Sequence, residues 1–334
     1  LLTMIFPNLK ELYQEEGEAG RQKFNQYSRL LTVPLAIVQG FGLLTLLSRQ
    51  GVVHFTFFEM LTNLIIVSAG AVFLMWIGEL ISEYGVGNGA SIMIFAGIVA
   101  RLPISIQQAL VSFDASQIPT FIAFSVISII TIASVVIISE GERPIPIYYA
   151  KRVRGMRMYG GTSSHLPLRV NQAGVIPIIF AVSILLFPQM IAGFFGASKY
   201  IILSKIAGAV TWFLTNSWFY GATYFFLVFL FTYFYTAVTF DPKAISQNLQ
   251  RSGAFVPGIR PGNPTSDFLT KIVTRITLVG AIFLGLIAIL PIIVQGATGI
   301  TSLTVGGTAL LIVVSVVIET AKQVEGQLSL RAYE

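Results

Sequence analysis

Runs of about twenty consecutive apolar residues recur along almost the whole chain, and they constrain its fold more than any other feature. They fall near 30–48, 59–81, 119–139, 173–195, 219–240, 276–295 and 304–321. A bilayer core about 30 Å thick takes about 20 residues of helix to cross. A helix also satisfies its own backbone hydrogen bonds, which lipid cannot do. An eighth run, near 90–110, is strongly apolar from Ala90 to Ala100 and is then interrupted by Arg101 and Pro103. It counts as a span because omitting it would put the basic loops on opposite sides. Charge agrees with this reading. Only 11% of the residues are charged, against roughly 25% in soluble domains, so the chain lacks a polar shell. The expectation is an all-α polytopic membrane protein with eight transmembrane helices.

Eight spans return the chain to its starting side, and the basic residues say which side that is. Of the 21 Lys and Arg, all but Arg49, Arg101, Lys199 and Lys205 fall on one side. Basic residues accumulate on the cytosolic face, so both ends of the chain are expected there, and topology largely accounts for the net charge of +6. Two loops on that side, 140–172 and 241–275, are far longer than the usual few residues. They contain Tyr148, Tyr149, Tyr159, Phe255 and Val256 together with fixed-geometry Pro and Gly. Such loops are built to stand out of the membrane and meet a large partner.

Several chemistries are excluded or left without support. With no cysteine, disulfides, thiolate metal sites and cysteine nucleophiles are impossible. His54 and His165 have no second histidine at ligand spacing, so no metal and no cofactor are expected. Gly85-Val86-Gly87-Asn88-Gly89-Ala90 fits a loose dinucleotide pattern, but it joins two membrane helices and follows no strand, so a tight turn is the better reading. No catalytic constellation emerges, and the chain is not expected to be an enzyme. Gln39, Asn63, Glu79, Asn171, Gln172 and Glu319 are polar residues within or at the ends of spans; Glu79, Gln172 and Glu319 lie close to the interfaces. None forms an ionisable midplane site, which weighs against the competing reading, a secondary transporter built from inverted repeats. The first residues, Leu1 to Phe6, are apolar up to Pro7 and read as the end of a helix that starts further upstream.

Ser252-Gly253-Ala254-Phe255-Val256-Pro257-Gly258-Ile259-Arg260-Pro261-Gly262 resembles a cytosolic-loop signature of the SecY family. Gly17-Glu18-Ala19-Gly20-Arg21, Phe73 to Glu79, Gly87 to Ser91, His165 to Pro177 and Gly306 to Val313 resemble further family segments. The resemblance runs over essentially all 334 residues. It implies a ten-helix clamshell of two pseudo-symmetric halves, of which this chain carries the third to tenth helices and lacks the first helix, the plug and most of the second. Residues 1–118 would then be the remainder of the N-terminal half and 119–334 the C-terminal half.

The implied function is a channel that moves unfolded polypeptides across the membrane and releases hydrophobic segments sideways into it. The implied pore constriction is Ala90, Ile94, Ile179 and Ile312, with Ala90 standing where isoleucine is common in the family. Gln39 and Asn171 map to the side gate. Arg260 and Arg251, with Lys151, Arg152, Arg154 and Arg157 of the other long loop, are the implied docking residues for a motor or ribosome. Implied partners are SecE, SecG, the SecA ATPase or a translating ribosome through its rRNA phosphates, signal sequences and nascent chains, and anionic lipids. The implied location is a bacterial-type plasma membrane.

Overall fold

The computed structural model describes residues 17–49, 51–111, 118–149, 152–154, 157–159, 163–195, 201–298 and 307–332. In chain order the helices are α1 Gly17–Arg49, α2 Phe57–Tyr84, α3 Gly89–Val111, α4 Ile118–Glu140, α5 Ile176–Phe195, α6 Ile201–Thr215, α7 Ser217–Thr239, α8 Pro242–Arg251, α9 Asn263–Thr298 and α10 Gly307–Ala332. Five short strands interrupt them: β1 Glu142–Tyr149, β2 Arg152–Arg154, β3 Arg157–Tyr159 and β4 Ser163–Arg169 between α4 and α5, and β5 Ala254–Phe255 after α8.

Each of the eight apolar runs is helical over most of its described residues. Among the described residues, five helical segments are long and apolar enough to cross a membrane, and Gly89–Ile104 and Ile176–Pro188 are shorter apolar stretches. The interrupted eighth run stays helical through Arg101 and Pro103 to Val111. Hydroxyls within the spans are mostly satisfied locally. Thr131, Thr232 and Thr236, for example, donate to the carbonyl four residues back, the economical solution where no water reaches.

The chain forms two compact units, Leu1–Ala96 with Ile184–Ser217, and Gly97–Ser183 with Trp218–Glu334. In the first unit, α1 and α2 are an antiparallel pair. Gly40 lets them approach: a Cβ there would lie 3.2 Å from Leu64 and 3.3 Å from Val67. Arg29 Nε donates to Glu79 Oε1 at 2.7 Å across the same pair, so Glu79 is ion-paired as well as near an interface. The start of α2 is fixed by a capping box, in which Thr56 and Glu59 exchange side-chain and backbone hydrogen bonds. Its end is fixed by the glycine turn. Gly87 has φ 96°, and a Cβ on Gly89 would stand 1.7 Å from the Gly78 carbonyl oxygen. Those glycines are therefore a packing requirement of the α2–α3 turn.

In the second unit, β4, β1 and β5 form an antiparallel sheet in that order. The register sets Ile145 opposite Leu166 and Arg143 opposite Leu168, so Ile145, Ile147, Leu166 and Leu168 share one face. That face packs on Val256 and on Leu269, Ile272 and Val273 of α9. Pro144 lies opposite Pro167. Neither can donate, so the pair must be one whose N–H groups point away from each other. The stretch 241–275 is accordingly ordered throughout: α8, a turn with β5, then the first turns of α9, which start well before the apolar run at 276. An ion pair, Lys322 Nζ to Glu140 Oε2 at 2.9 Å, joins α10 to α4.

Candidate functional site: docking loops and channel-lining positions

The Ser252–Gly262 turn is built from the chain's own constraints. Asp241 caps α8, accepting from the amides of Lys243 and Ala244, and Pro242 follows at the first helical position. Gly253, Gly258 and Gly262 adopt φ of 70°, 76° and 98°, which L side chains rarely reach. The turn is then tied down from two directions. Ser246 Oγ donates to the Gly262 carbonyl at 2.6 Å, and Thr265 Oγ1 donates to the Arg260 carbonyl at 2.8 Å. Val256 is buried in the sheet–helix core, while Arg260 and Arg251 are exposed. The backbone of Arg260 is thus held and its guanidinium faces solvent.

The two long loops meet through β5. Tyr148 pairs with Phe255 and Tyr149 with Ala254, and the Tyr148 and Phe255 rings lie 6.4 Å apart between centroids. β2 and β3 form a separate hairpin whose register pairs Arg154 with Arg157 and Arg152 with Tyr159. Arg152, Arg154 and Arg157 therefore occupy register positions on one face of the paired strands. Lys151 lies outside the described residues.

The positions expected to line the channel sit on three elements. Ala90 and Ile94 are on α3, one helical turn apart and exposed; Ile179 is half-buried on α5, and Ile312 half-buried on α10. Gln39 is exposed on α1. Asn171 lies just before α5, and its Oδ1 is buried with no hydrogen-bond partner. It sits beside Gly280 of α9, where a Cβ would come within 2.7 Å of the Val170 carbonyl oxygen. Sequence reasoning found the basic residues but not the hairpin that aligns three of them, nor the β1–β5 pairing that joins the loops. The aromatic residues Tyr148 and Phe255 were the available signal for that pairing.

Comparison with known proteins is consistent over the length of the chain. The SecY family profile matches residues 1–321. A protein translocase subunit SecY of Mycobacterium tuberculosis (strain ATCC 25618 / H37Rv) is 41% identical over 350 residues, covering 100% of this chain and 78% of that one. One of Synechococcus elongatus is 42% identical over 338 residues, with 100% and 76% covered. Among solved structures, one described as "The structure of a protein conducting channel" matches with TM-score 0.62 at 18% identity, covering 94% of this chain and 76% of that one.

Proposed function

The chain belongs to the SecY family, and from that premise we propose how its parts divide the work of a protein-conducting channel subunit. The carrying observation is the match along the whole chain to translocase subunits, joined to a set of membrane helices with an ordered, exposed basic turn at Arg260. The secondary-transporter reading finds no support beside it.

Unfolded polypeptides pass through the channel, and hydrophobic segments leave it sideways into lipid. Ile94, Ile179 and Ile312, with Ala90 beside Ile94, form the constriction. Branched aliphatic side chains suit that task, because a narrow apolar waist excludes water and offers a passing chain no hydrogen bonds to hold it. Residues 1–118 and 119–334 act as the two halves of the clamshell. Gln39 and Asn171 belong to the side gate, where a buried amide oxygen without a partner weakens helix contacts that signal sequences must part. Interhelical polar contacts in membranes are worth only about 0.6–2 kcal/mol each.

Arg260 is the docking fork on the turn, suited to a carboxylate or phosphate of a motor or of ribosomal RNA, and Arg251 supports it. Arg152, Arg154 and Arg157, with Lys151, form the second contact, toward rRNA phosphate or anionic headgroups. SecE, SecG, and either the SecA ATPase or a ribosome complete the assembly. The chain lies in the bacterial-type plasma membrane with both described ends cytosolic, as its basic residues direct.

The absence of native cysteine makes a direct test simple. A single cysteine placed at 94, 179 or 312 is expected to form a disulfide with a cysteine in a translocating chain arrested halfway. Arrest of transport with no adduct at any of the three positions would remove them from the path.

A further inference from the structure

The geometry points to a binding site for the headgroup of a phospholipid carrying both a phosphate and a primary ammonium, such as phosphatidylethanolamine, at the junction of α7, α8 and α9. A cavity of about 320 Å³ opens there, space for a group roughly ten waters in size. It lies where the apolar stretch of α7 ends at Thr239 and before the apolar run of α9 begins, on the side rich in Lys and Arg. This is the depth at which headgroups lie. Tyr233 and Phe240 line it, as aromatic residues commonly do at that level.

Two opposite charges at its mouth set the ligand's chemistry. Asp241 and Lys243 both line the cavity and both are exposed, yet they do not pair with each other. Asp241 Oδ1 is committed to the amides of Lys243 and Ala244, at 2.9 and 3.1 Å, which fixes the carboxylate in place and leaves its other oxygen available. Among the described residues, the Lys243 ammonium has no carboxylate partner. A simple anion would be drawn by Lys243 and repelled by Asp241, and a simple cation the reverse. A zwitterion satisfies both.

The cavity wall selects among zwitterions. Thr270 and Thr274 give their hydroxyl protons to the carbonyls of Ser266 and Thr270, each at 2.8 Å. Tyr233 gives its proton to the Thr274 carbonyl at 3.2 Å. These oxygens therefore face the cavity as acceptors. A primary ammonium with three N–H donors can use them, whereas a quaternary ammonium cannot. The phosphate then sits at the rim against Lys243 and the amine lies inward, against Asp241 and the hydroxyl oxygens.

Native mass spectrometry of the intact protein tests this, with phosphatidylethanolamine, phosphatidylglycerol and phosphatidylcholine offered in equal amounts. Phosphatidylethanolamine is expected to be retained roughly three- to tenfold over each of the others, the span of one or two solvent-screened ion pairs at an exposed rim. Asp241→Asn keeps an efficient helix cap and should erase the preference over phosphatidylglycerol. Asp241→Ser, which also caps, guards against a peculiarity of one variant. Lys243→Gln should weaken phosphatidylethanolamine and phosphatidylglycerol alike. Equal retention of the three lipids by the unaltered protein, or an unchanged preference in both Asp241 variants, overturns the proposal. Displacement of the lipid by glycerophosphoethanolamine, which carries the headgroup without tails, would give the site to a soluble ligand and overturn the lipid assignment. Resistance to that competitor supports it.

Discussion

Replacing Gly280 by alanine probes a close backbone approach in the second unit. A Cβ there would lie 2.7 Å from the Val170 carbonyl oxygen, 3.6 Å from its carbon and 3.9 Å from Asn171 Cα. The obstacle is backbone, not the end of a flexible side chain. Val170 is itself held, since its N–H donates to the Gly141 carbonyl at 2.8 Å. Either α9 must tilt away or the segment ahead of α5 must move. Overpacking of this kind costs about 1–3 kcal/mol, partly offset by up to about 1 kcal/mol of better helix propensity for alanine. Gly296, in the same helix, supplies the control, because a Cβ there meets nothing within 4 Å; Gly296→Ala should gain that propensity and lose nothing. The two variants should therefore differ by about 1–3 kcal/mol. For a chain of 334 residues that separates their melting temperatures by about 1–4 °C. Thermal unfolding in one detergent, read by tryptophan fluorescence, measures the gap. Gly280→Ala should also displace Asn171 and relax discrimination against defective signal sequences. Equal melting temperatures for the two variants would refute the packing account of this contact.

Three other outcomes follow from the loops. Leu269 is fully buried at the centre of the sheet–helix core, so Leu269→Ala should cost about 2–5 kcal/mol and make the Ser252–Gly262 turn markedly more sensitive to limited proteolysis. Arg260→Glu should abolish motor- or ribosome-driven export while leaving membrane insertion of the channel normal; undiminished export would make Arg260 a plain solvated charge. Arg154→Gln with Arg157→Gln should weaken ribosome binding in detergent and flatten its dependence on log salt by about 1.4–1.8 units for two lost phosphate contacts, while an unchanged slope would leave only a lipid role for the hairpin.

What the sequence made legible was what lipid dictates. Apolar length located seven of the runs, because a membrane helix must be apolar over its whole circumference, and the distribution of basic residues added the interrupted eighth. Elements outside the lipid were harder to read. β1 and β4 carry Pro144, Pro146 and Pro167, which demote a strand locally, and only the pairing across the loop shows that the lost donors were not needed. β5 is two residues long and exists because Tyr148 and Tyr149 are there to pair with it. The early start of α9 did leave a signal. Leu269, Ile272, Val273 and Ile276 recur at helical spacing, but a search for fully apolar windows passes over an amphipathic turn. α6, at fifteen residues, is too short to register as a span.

The residues proposed to line the channel rest on family resemblance alone. Ile94, Ile179 and Ile312 come from three helices far apart in the chain, and in so apolar a sequence no local pattern distinguishes them from ordinary packing residues. Asn171 could be picked out as a polar residue near a span; that its amide oxygen is buried without a partner depends on the fold. The unpaired charges Asp241 and Lys243 flank Pro242 in the sequence like any helix start, and only the cavity beside them gives them a role.

The central claim is that this chain conducts polypeptide through a dry waist made by those isoleucines. Ion conductance across planar bilayers, with the assembly reconstituted and idle, tests it most directly. Ile94→Asn, Ile179→Asn and Ile312→Asn should each raise the idle current well above that of the unaltered channel, because an amide lowers the barrier to wetting the constriction. Channels that stay as tight as the parent while melting at lower temperature, by the 1–3 kcal/mol typical of a disturbed core, would show that the three isoleucines are packing residues and contradict the account.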